Sequence, residues 1–357
     1  MSPYIVQLLA NAGLTAAVVY IPLLATKMGA NSSQIGLLVG TYQGMMFLAS
    51  LVFGRWADFG DRKRFVVFGL LASAVALGTH LLVRNLYGLF VVRFLAGMCA
   101  GIFPAALVAY FYEENQKLGR FTGFGSLGWA IGAIVVGLVA VNSIFMVAAI
   151  LLGITSGIAL FGLRPQRVKM REPFLNLSVF KRNWRLYLSF LLRHLGAFSI
   201  WTIFPVYLAH LGASRFWVGV VYALNPLGQF VFMNLLERSR ETTLIRAGLF
   251  LSILVFVAFG LANDFRQVIP IQIVLALSWS CLYLGSLKQL LRTNPERSTA
   301  AGMLQSVLSL AAVLGAFLEG VTGAFGYRVI MFVAAGLALA GTILYISEPP
   351  LNQGEDL

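Results

Sequence analysis

Four ionisable side chains stand well inside long apolar runs of this chain, Arg93, Arg193, His194 and Glu319, and a fifth, His80, lies nearer the end of its run. A charge at the middle of a bilayer costs at least about 2.5 kcal/mol, so each must face a cavity or a partner. Arginine brings a planar fork of N–H donors that matches the oxygens of a carboxylate or phosphate, which is a chemistry of capture rather than of bond making. His194 has no second ligand at a metal-binding spacing, and a lone imidazole does not define a metal site. The two cysteines, Cys99 and Cys281, both fall in apolar runs, which leaves neither a disulfide framework nor a metal set. No metal and no cofactor is expected. The first six runs hold no acidic residue near their middles, so the charge available there is basic.

Internal repetition sets further polar residues beside these. Pro22, Gly29, Ala30 and Gly36 recur as Pro205, Gly212, Ala213 and Gly219, and Gly132 and Gly137 recur as Gly315 and Gly320, all at an offset of 183. The same offset pairs Asn11 with His194 and Tyr42 with Asn225. Residues at equivalent depths of two copies of one unit are expected to point at one centre. Those four are therefore candidates for a central binding site, with Gln229 one turn beyond Asn225. His194, Phe198, Trp201 and Pro205 share a helical face with Arg193 on its flank, and Gln43, Trp279 and Tyr283 are candidates to complete the wall. Basic groups favour an anionic or amphipathic ligand, and an aromatic lining favours one with an apolar body.

The elements that must position these residues are membrane helices. Mean hydropathy is +0.85 and only 11% of residues are charged, whereas soluble domains are about a quarter charged. Twelve apolar runs, roughly 3–26, 33–54, 65–83, 87–111, 121–141, 143–163, 186–209, 215–236, 244–262, 266–288, 299–323 and 327–346, are each long enough to cross a bilayer as helix. The expected fold is an all-α membrane protein of 12 transmembrane helices, built as two six-helix bundles related by pseudo-two-fold symmetry. Residues 1–163 are the N-terminal bundle, 164–185 a basic linker, 186–346 the C-terminal bundle and 347–357 a polar tail. Phe174, Leu177 and Phe180 among basic residues suggest an amphipathic stretch in the linker. The first run lacks a basic leader and its Pro22–Gly36 stretch recurs, so it reads as a retained span and not a signal peptide. Nineteen Lys and Arg fall on one side of the twelve runs and five on the other. That asymmetry predicts a cytoplasmic linker and cytoplasmic N- and C-termini. It also accounts for the net charge of +13 without nucleic acid as a partner.

The loop after the second run reads Gly54-Arg55-Trp56-Ala57-Asp58-Phe59-Gly60-Asp61-Arg62-Lys63-Arg64. It resembles the signature of the major facilitator superfamily between its second and third spans, with Gly54, Asp58, Arg62 and Lys63 at matching positions. Phe59 replaces a residue that is commonly basic, and Gly60 falls one place early, with Asp61 where the second glycine usually stands. Arg93 to Gly101 is similar to that family's arginine-and-glycine pattern in the fourth span. Gly125, Gly128 and Gly132 are similar to its antiporter-type glycine motif, without the proline that often accompanies it, which weakens an inference of antiport. The resemblance runs over the whole chain. It implies a secondary transporter moving a small organic solute across the cytoplasmic membrane by alternating access, monomeric in the lipid bilayer, with the proton as a candidate coupling ion. An exporter of hydrophobic compounds is the alternative.

In that setting Gly54, Asp58, Arg62, Lys63, Glu113 and Glu114 form a candidate gate. Arg55, Arg62, Lys63 and Arg64 are expected to face Glu113 and Glu114, which end the fourth run. Asp58 is expected to accept from the orphan N–H groups at the start of the eleventh run, near Thr299. Glu237 and Glu241, beside Arg238 and Arg240, make a degenerate copy in the second half. Glu319 is expected to be structural, within reach of Arg328 or His210. Two readings of another class compete. A membrane-embedded enzyme needs a carboxylate, His or Ser constellation at one membrane face, and none is evident. A receptor that binds without transport would keep the pocket and lose the gate contacts.

Overall fold

The repeat seen in the sequence reappears in the backbone. In the computed structural model, which describes residues 2–139, 143–168 and 177–347, the first half comprises α1 (Ser2–Lys27), α2 (Ser32–Ala57), α3 (Arg62–Gly78), α4 (Leu86–Ala100), α5 (Pro104–Asn115), α6 (Leu118–Leu138) and α7 (Ile144–Gly162). The second comprises α8 (Ser178–His210), α9 (Arg215–Leu235), α10 (Glu241–Leu261), α11 (Phe265–Thr293), α12 (Arg297–Thr322) and α13 (Tyr327–Ile346). Both α1 and α8 carry an internal proline, Pro22 and Pro205. Both are followed by a glycine in the left-handed region, Gly29 at φ +82° and Gly212 at φ +86°, a conformation glycine adopts without a Cβ penalty. The next helix then opens on a side-chain cap at equivalent positions, Asn31 for α2 and Ser214 for α9. One local code for helix, turn and helix is thus written twice.

Eleven stretches are long and apolar enough to cross a membrane when the described residues are considered. The 21-residue α6 reaches about 31 Å at 1.5 Å per residue and makes the twelfth crossing. The fourth crossing is broken between α4 and α5, where Gly101, Ile102 and Phe103 leave the helix and Pro104 opens the next one at its first turn. Proline is well placed there because its missing N–H is one that no helical carbonyl would receive. No strand occurs among the described residues.

Packing partners also repeat. In the first half α1 lies on α6 and α7, α3 on α7, and α2 on α4. In the second, α8 lies on α12 and α13, α10 on α13, and α9 on α11. The halves meet along two equivalent seams, α2 with α12 and α9 with α6. The core is not divided evenly between them. One continuous buried cluster joins the first half to Leu244, Leu249, Leu282, Leu287, Ala300 and Leu304, at the ends of α10, α11 and α12 that carry the basic residues. At the other end the second half keeps a separate cluster around Phe204, Phe256, Phe259 and Met331. The halves are fused at the basic face.

Candidate functional site

Glycines on α2 show where the seam is tight. A Cβ on Gly54 would sit 2.9 Å from the Ser298 carbonyl oxygen and 3.1 Å from Gly302 Cα, so α2 and α12 touch backbone to backbone near the basic face. Gly36, Gly40 and Gly44, further along the same helix, have nothing within 4 Å of that position, and neither do Gly219 on α9 and Gly320 on α12. The helices close at one end and part toward the other.

Charge secures the closed end. The helix α12 has no side-chain N-cap of its own, because Glu296 at that position turns to Arg182, 2.9 Å away. Its orphan N–H groups are satisfied from the other half. Asp58 accepts from the backbone of Ser298 at 3.0 Å and of Thr299 at 2.7 Å, and from the Thr299 hydroxyl at 2.7 Å. A carboxylate at a helix N-terminus gains from both the free donors and the helix dipole. Arg62 binds the same carboxylate at 3.0 Å, donates to Ser298 Oγ at 2.9 Å and to Glu113 at 3.2 Å. Asp58 and Arg62 are both 0% exposed, which confines their charges to one another and to α12. Glu113 also pairs with Arg297 on α12. The sequence anticipates the Asp58 contact with Thr299, and it is present.

Other expected members of the gate lie elsewhere. Glu114 accepts from the Tyr110 hydroxyl of its own helix at 2.6 Å and forms no ion pair among the described residues. Arg55 lies over the Phe59 ring, and Arg64, exposed, approaches Asp61 at 3.7 Å. Lys63 forms no ion pair among the described residues; its backbone N–H is capped by Asp61. The second seam holds a surprise. Like α12, α6 lacks a side-chain cap, and Glu237 donates its carboxylate to that role across the halves, accepting from Arg120 N at 2.9 Å. Glu241, at the strict repeat position of Asp58, pairs with Arg292 instead. The copy works from one turn earlier, which spacing alone does not reveal.

The candidate binding residues form three groups. In the first half, the guanidinium of Arg93 stacks over Tyr42 at 4.0 Å. Both are buried, and Arg93 Nε and Nη1 have no hydrogen-bond partner. Asn11 donates to its own helix at Gln7 O and packs beside Gly125 and Gly128 of α6. Gln43 is half-buried on α2. In the second half, Arg193 Nε donates to Ser252 Oγ at 2.8 Å, its Nη1 lies 3.3 Å from His194 Nε2, and its Nη2 is buried without a partner. The Nδ1 atom of His194 lies 3.2 Å from Phe190 O and must donate there, so Nε2 is the acceptor for Arg193. With both nitrogens engaged, His194 orients Arg193. Phe190, His194, Trp279 and Tyr283 continue as an aromatic stack, Trp279 and Tyr283 lying 4.9 Å apart and half-buried.

The third group bridges the halves. Asn225 donates to Gln272 at 3.2 Å and accepts from Gln229, whose Oε1 accepts from Ser126 of α6 at 2.9 Å. Trp201 stands apart, packed on Phe204 and Tyr222. Arg93 and Arg193 occupy different bundles and no shared contact. Glu319 reaches neither expected partner: Arg328 binds Asn263, and His210 packs on Tyr327. Sequence reasoning passed over Ser252, Ser126 and Arg297. Serine in an apolar run is the only signal the first two carry.

The chain matches the family model described as Major Facilitator Superfamily over residues 4–228 and 186–356. It is 22% identical to the quinolone resistance protein NorA of Staphylococcus aureus, covering 94% of this chain and 92% of that one. It is also 22% identical, over the same shares, to the multi-drug resistance efflux pump PmrA of Streptococcus pneumoniae. Among solved structures it resembles the human organic anion transporter MFSD10, with a TM-score of 0.78 at 15% identity over 96% of this chain and 98% of that one. A bacterial homologue of the iron transporter ferroportin in an outward-facing state matches with a TM-score of 0.77 at 15% identity, over 97% and 98%. With its twelve crossings, its duplicated bundle and a family match in each half, the chain is a multi-pass membrane transporter that belongs to the major facilitator superfamily.

Proposed function

We propose that the protein exports amphipathic organic anions across the cytoplasmic membrane by alternating access, in the state described here closed at its cytoplasmic face. The observation that carries this reading is the trans cap, in which a fully buried Asp58 of α2 holds the start of α12. A carboxylate so placed favours closure only while α12 is docked. When the halves part, Asp58 and Arg62 gain water in exchange for Ser298 and Thr299, so the closed and open states stay within reach of one another. The excess of basic residues on the locked face supports its assignment to the cytoplasm, and with it cytoplasmic termini. We take 1–163 and 186–346 as the moving bundles, 164–185 as the cytoplasmic linker and 347–357 as the tail.

For the substrate, the support comes from two buried guanidinium groups with free N–H donors and no carboxylate facing them among the described residues. An uncompensated buried charge is costly, and an anionic group would balance it. The stacked Trp279 and Tyr283 beside Arg193 suit an aromatic or aliphatic body. We read the chain as a monomeric carrier and not an enzyme, with a proton as the coupling ion to be tested. Inside-out proteoliposomes loaded with pure protein provide the experiment. Uptake of carboxylated amphipaths should exceed that of cationic ones and should respond to an imposed pH gradient. Equal uptake of cations and anions would overturn the anion reading. It would leave the second one, an exporter of hydrophobic compounds of any charge, which the names of the two bacterial relatives support.

A further inference from the structure

We propose that Gln166, the third residue of the linker, is a positioning residue of the gate that holds Arg62 in place from the linker side. The inference rests on reading the Asp58–Arg62 cluster as that gate. The chain leaving α7 does not run free. Its backbone pairs with the loop after α2: Arg62 N donates to Gln166 O at 3.1 Å and Val168 N to Gly60 O at 3.0 Å, with Asp61 and Arg167 bridged between them. Gln166 N donates to Asp61 Oδ1 at 3.0 Å. The Gln166 side chain completes the junction. Its Oε1 accepts from Arg62 Nη1 at 3.2 Å, and its Nε2 donates to Tyr110 O on α5 at 3.4 Å. Every polar group of this one glutamine is engaged, and the Arg62 guanidinium has its place fixed from the linker side as well as by Asp58 and Glu113.

The start of α8 is bound to the opposite side of the same gate. Arg182 grips Glu296, and Asn183 donates to Asn294 at 3.1 Å. Asn294 follows α11, and Glu296 immediately precedes α12, whose N-terminus Asp58 caps. When α12 withdraws, Arg62 loses Ser298 Oγ and Asp58 loses three donors, while the Gln166 contacts lie wholly within the first half and can persist. A guanidinium held there stays aimed at Asp58 and Glu113, ready for the return of α12. Released, it would turn to water and raise the cost of closing. Gln166 therefore acts on the balance between open and closed states and not on the substrate.

Distance measurement between spin labels on the two sides tests this, with Arg64 and Pro295, both exposed, as label sites in a chain carrying Cys99→Ser and Cys281→Ser. Gln166→Leu keeps the size of the side chain and removes the acceptor. It should move the open-to-closed ratio at the basic face by about two- to tenfold toward open, in line with the entropy of ordering one long side chain on closing, since the hydrogen bond itself is present in both states. Substrate affinity should stay within about twofold by the same logic, since no binding residue is touched. Gln166→Glu keeps an oxygen for Arg62 but loses the donor to Tyr110 O, and should open the face less than Gln166→Leu does. Asp58→Asn is the control for the gate itself. If Asp58→Asn opens the face and Gln166→Leu does not, the linker inference fails alone. If neither does, the gate reading fails with it. If Gln166→Leu and Gln166→Glu open the face equally, the contact is one of packing and the positioning role is rejected.

Discussion

Three arginines and one aspartate carry the chemistry proposed for this chain. Removing the Arg193 guanidinium takes away a partner worth about 1.5–3 kcal/mol to a bound anion, so Arg193→Ala and Arg93→Ala should each weaken binding of an anionic amphipath by about ten- to a hundred-fold. Arg193→Lys should rescue only in part, because Nε, Nη1 and Nη2 serve three directions and an ammonium on a flexible stem does not. Titration calorimetry in detergent measures both, and affinity for a cationic dye should be unchanged. At the other end of the molecule, Asp58→Asn or Arg62→Ala should cut transport by at least about tenfold with binding retained, since the charge-assisted contacts they lose are with α12 and each is worth about 1.5–3 kcal/mol. The sequence made these residues visible for a physical reason: a charge inside an apolar run is expensive and therefore informative. It could not show which of the polar neighbours were already spoken for. His194 and Asn11 look like ligands by position, yet their side chains are engaged with Arg193 and the α1 backbone.

At the scale of the helix, close approach sets function. Gly54 faces the Ser298 carbonyl and Gly302 with no room for a side chain. Gly54→Leu should hold α2 and α12 apart and leave the basic face open, read out as faster alkylation of a cysteine introduced at Ser298. Gly40→Ala adds a methyl group where nothing lies within 4 Å and should change neither labelling nor transport. The helices were legible from hydropathy, and their duplication from the recurring proline, glycine and cap positions, because local backbone chemistry repeats with local sequence. The trans caps were only half legible. Asp58 follows a recognisable pattern, while Glu237 reaches α6 from one turn off register. Glu237 lies in the single turn after α9, whereas Glu241 opens α10, so strict alignment of the repeats lands on Glu241 and misses the contact. Nothing in the sequence marks Gln166, whose partners are 56 to 105 residues away.

Taken as a whole, the molecule has two seams with one design and unequal strength. At α2 and α12 a fully buried ion pair and three donors hold the carboxylate, whereas at α9 and α6 a half-buried Glu237 accepts from a single backbone N–H. Glu237→Gln should therefore slow transport by no more than about threefold in a vesicle assay where Asp58→Asn slows it at least tenfold, since the amide keeps an acceptor for Arg120 N and loses only the charge–dipole gain, about 0.3–1 kcal/mol at a partly exposed helix end. The difference in burial also makes the seams respond differently to the ionic composition of the solution at the basic face. Mobile ions screen a charge that water can reach over about 8 Å at physiological ionic strength, but they do not enter a site sealed from solvent. Salt should thus weaken the Glu237 cap of α6 more than the buried Asp58 cap of α12. Added salt at that face would then widen the inequality between the two latches, until the molecule works as a hinge with α2 and α12 as its pin.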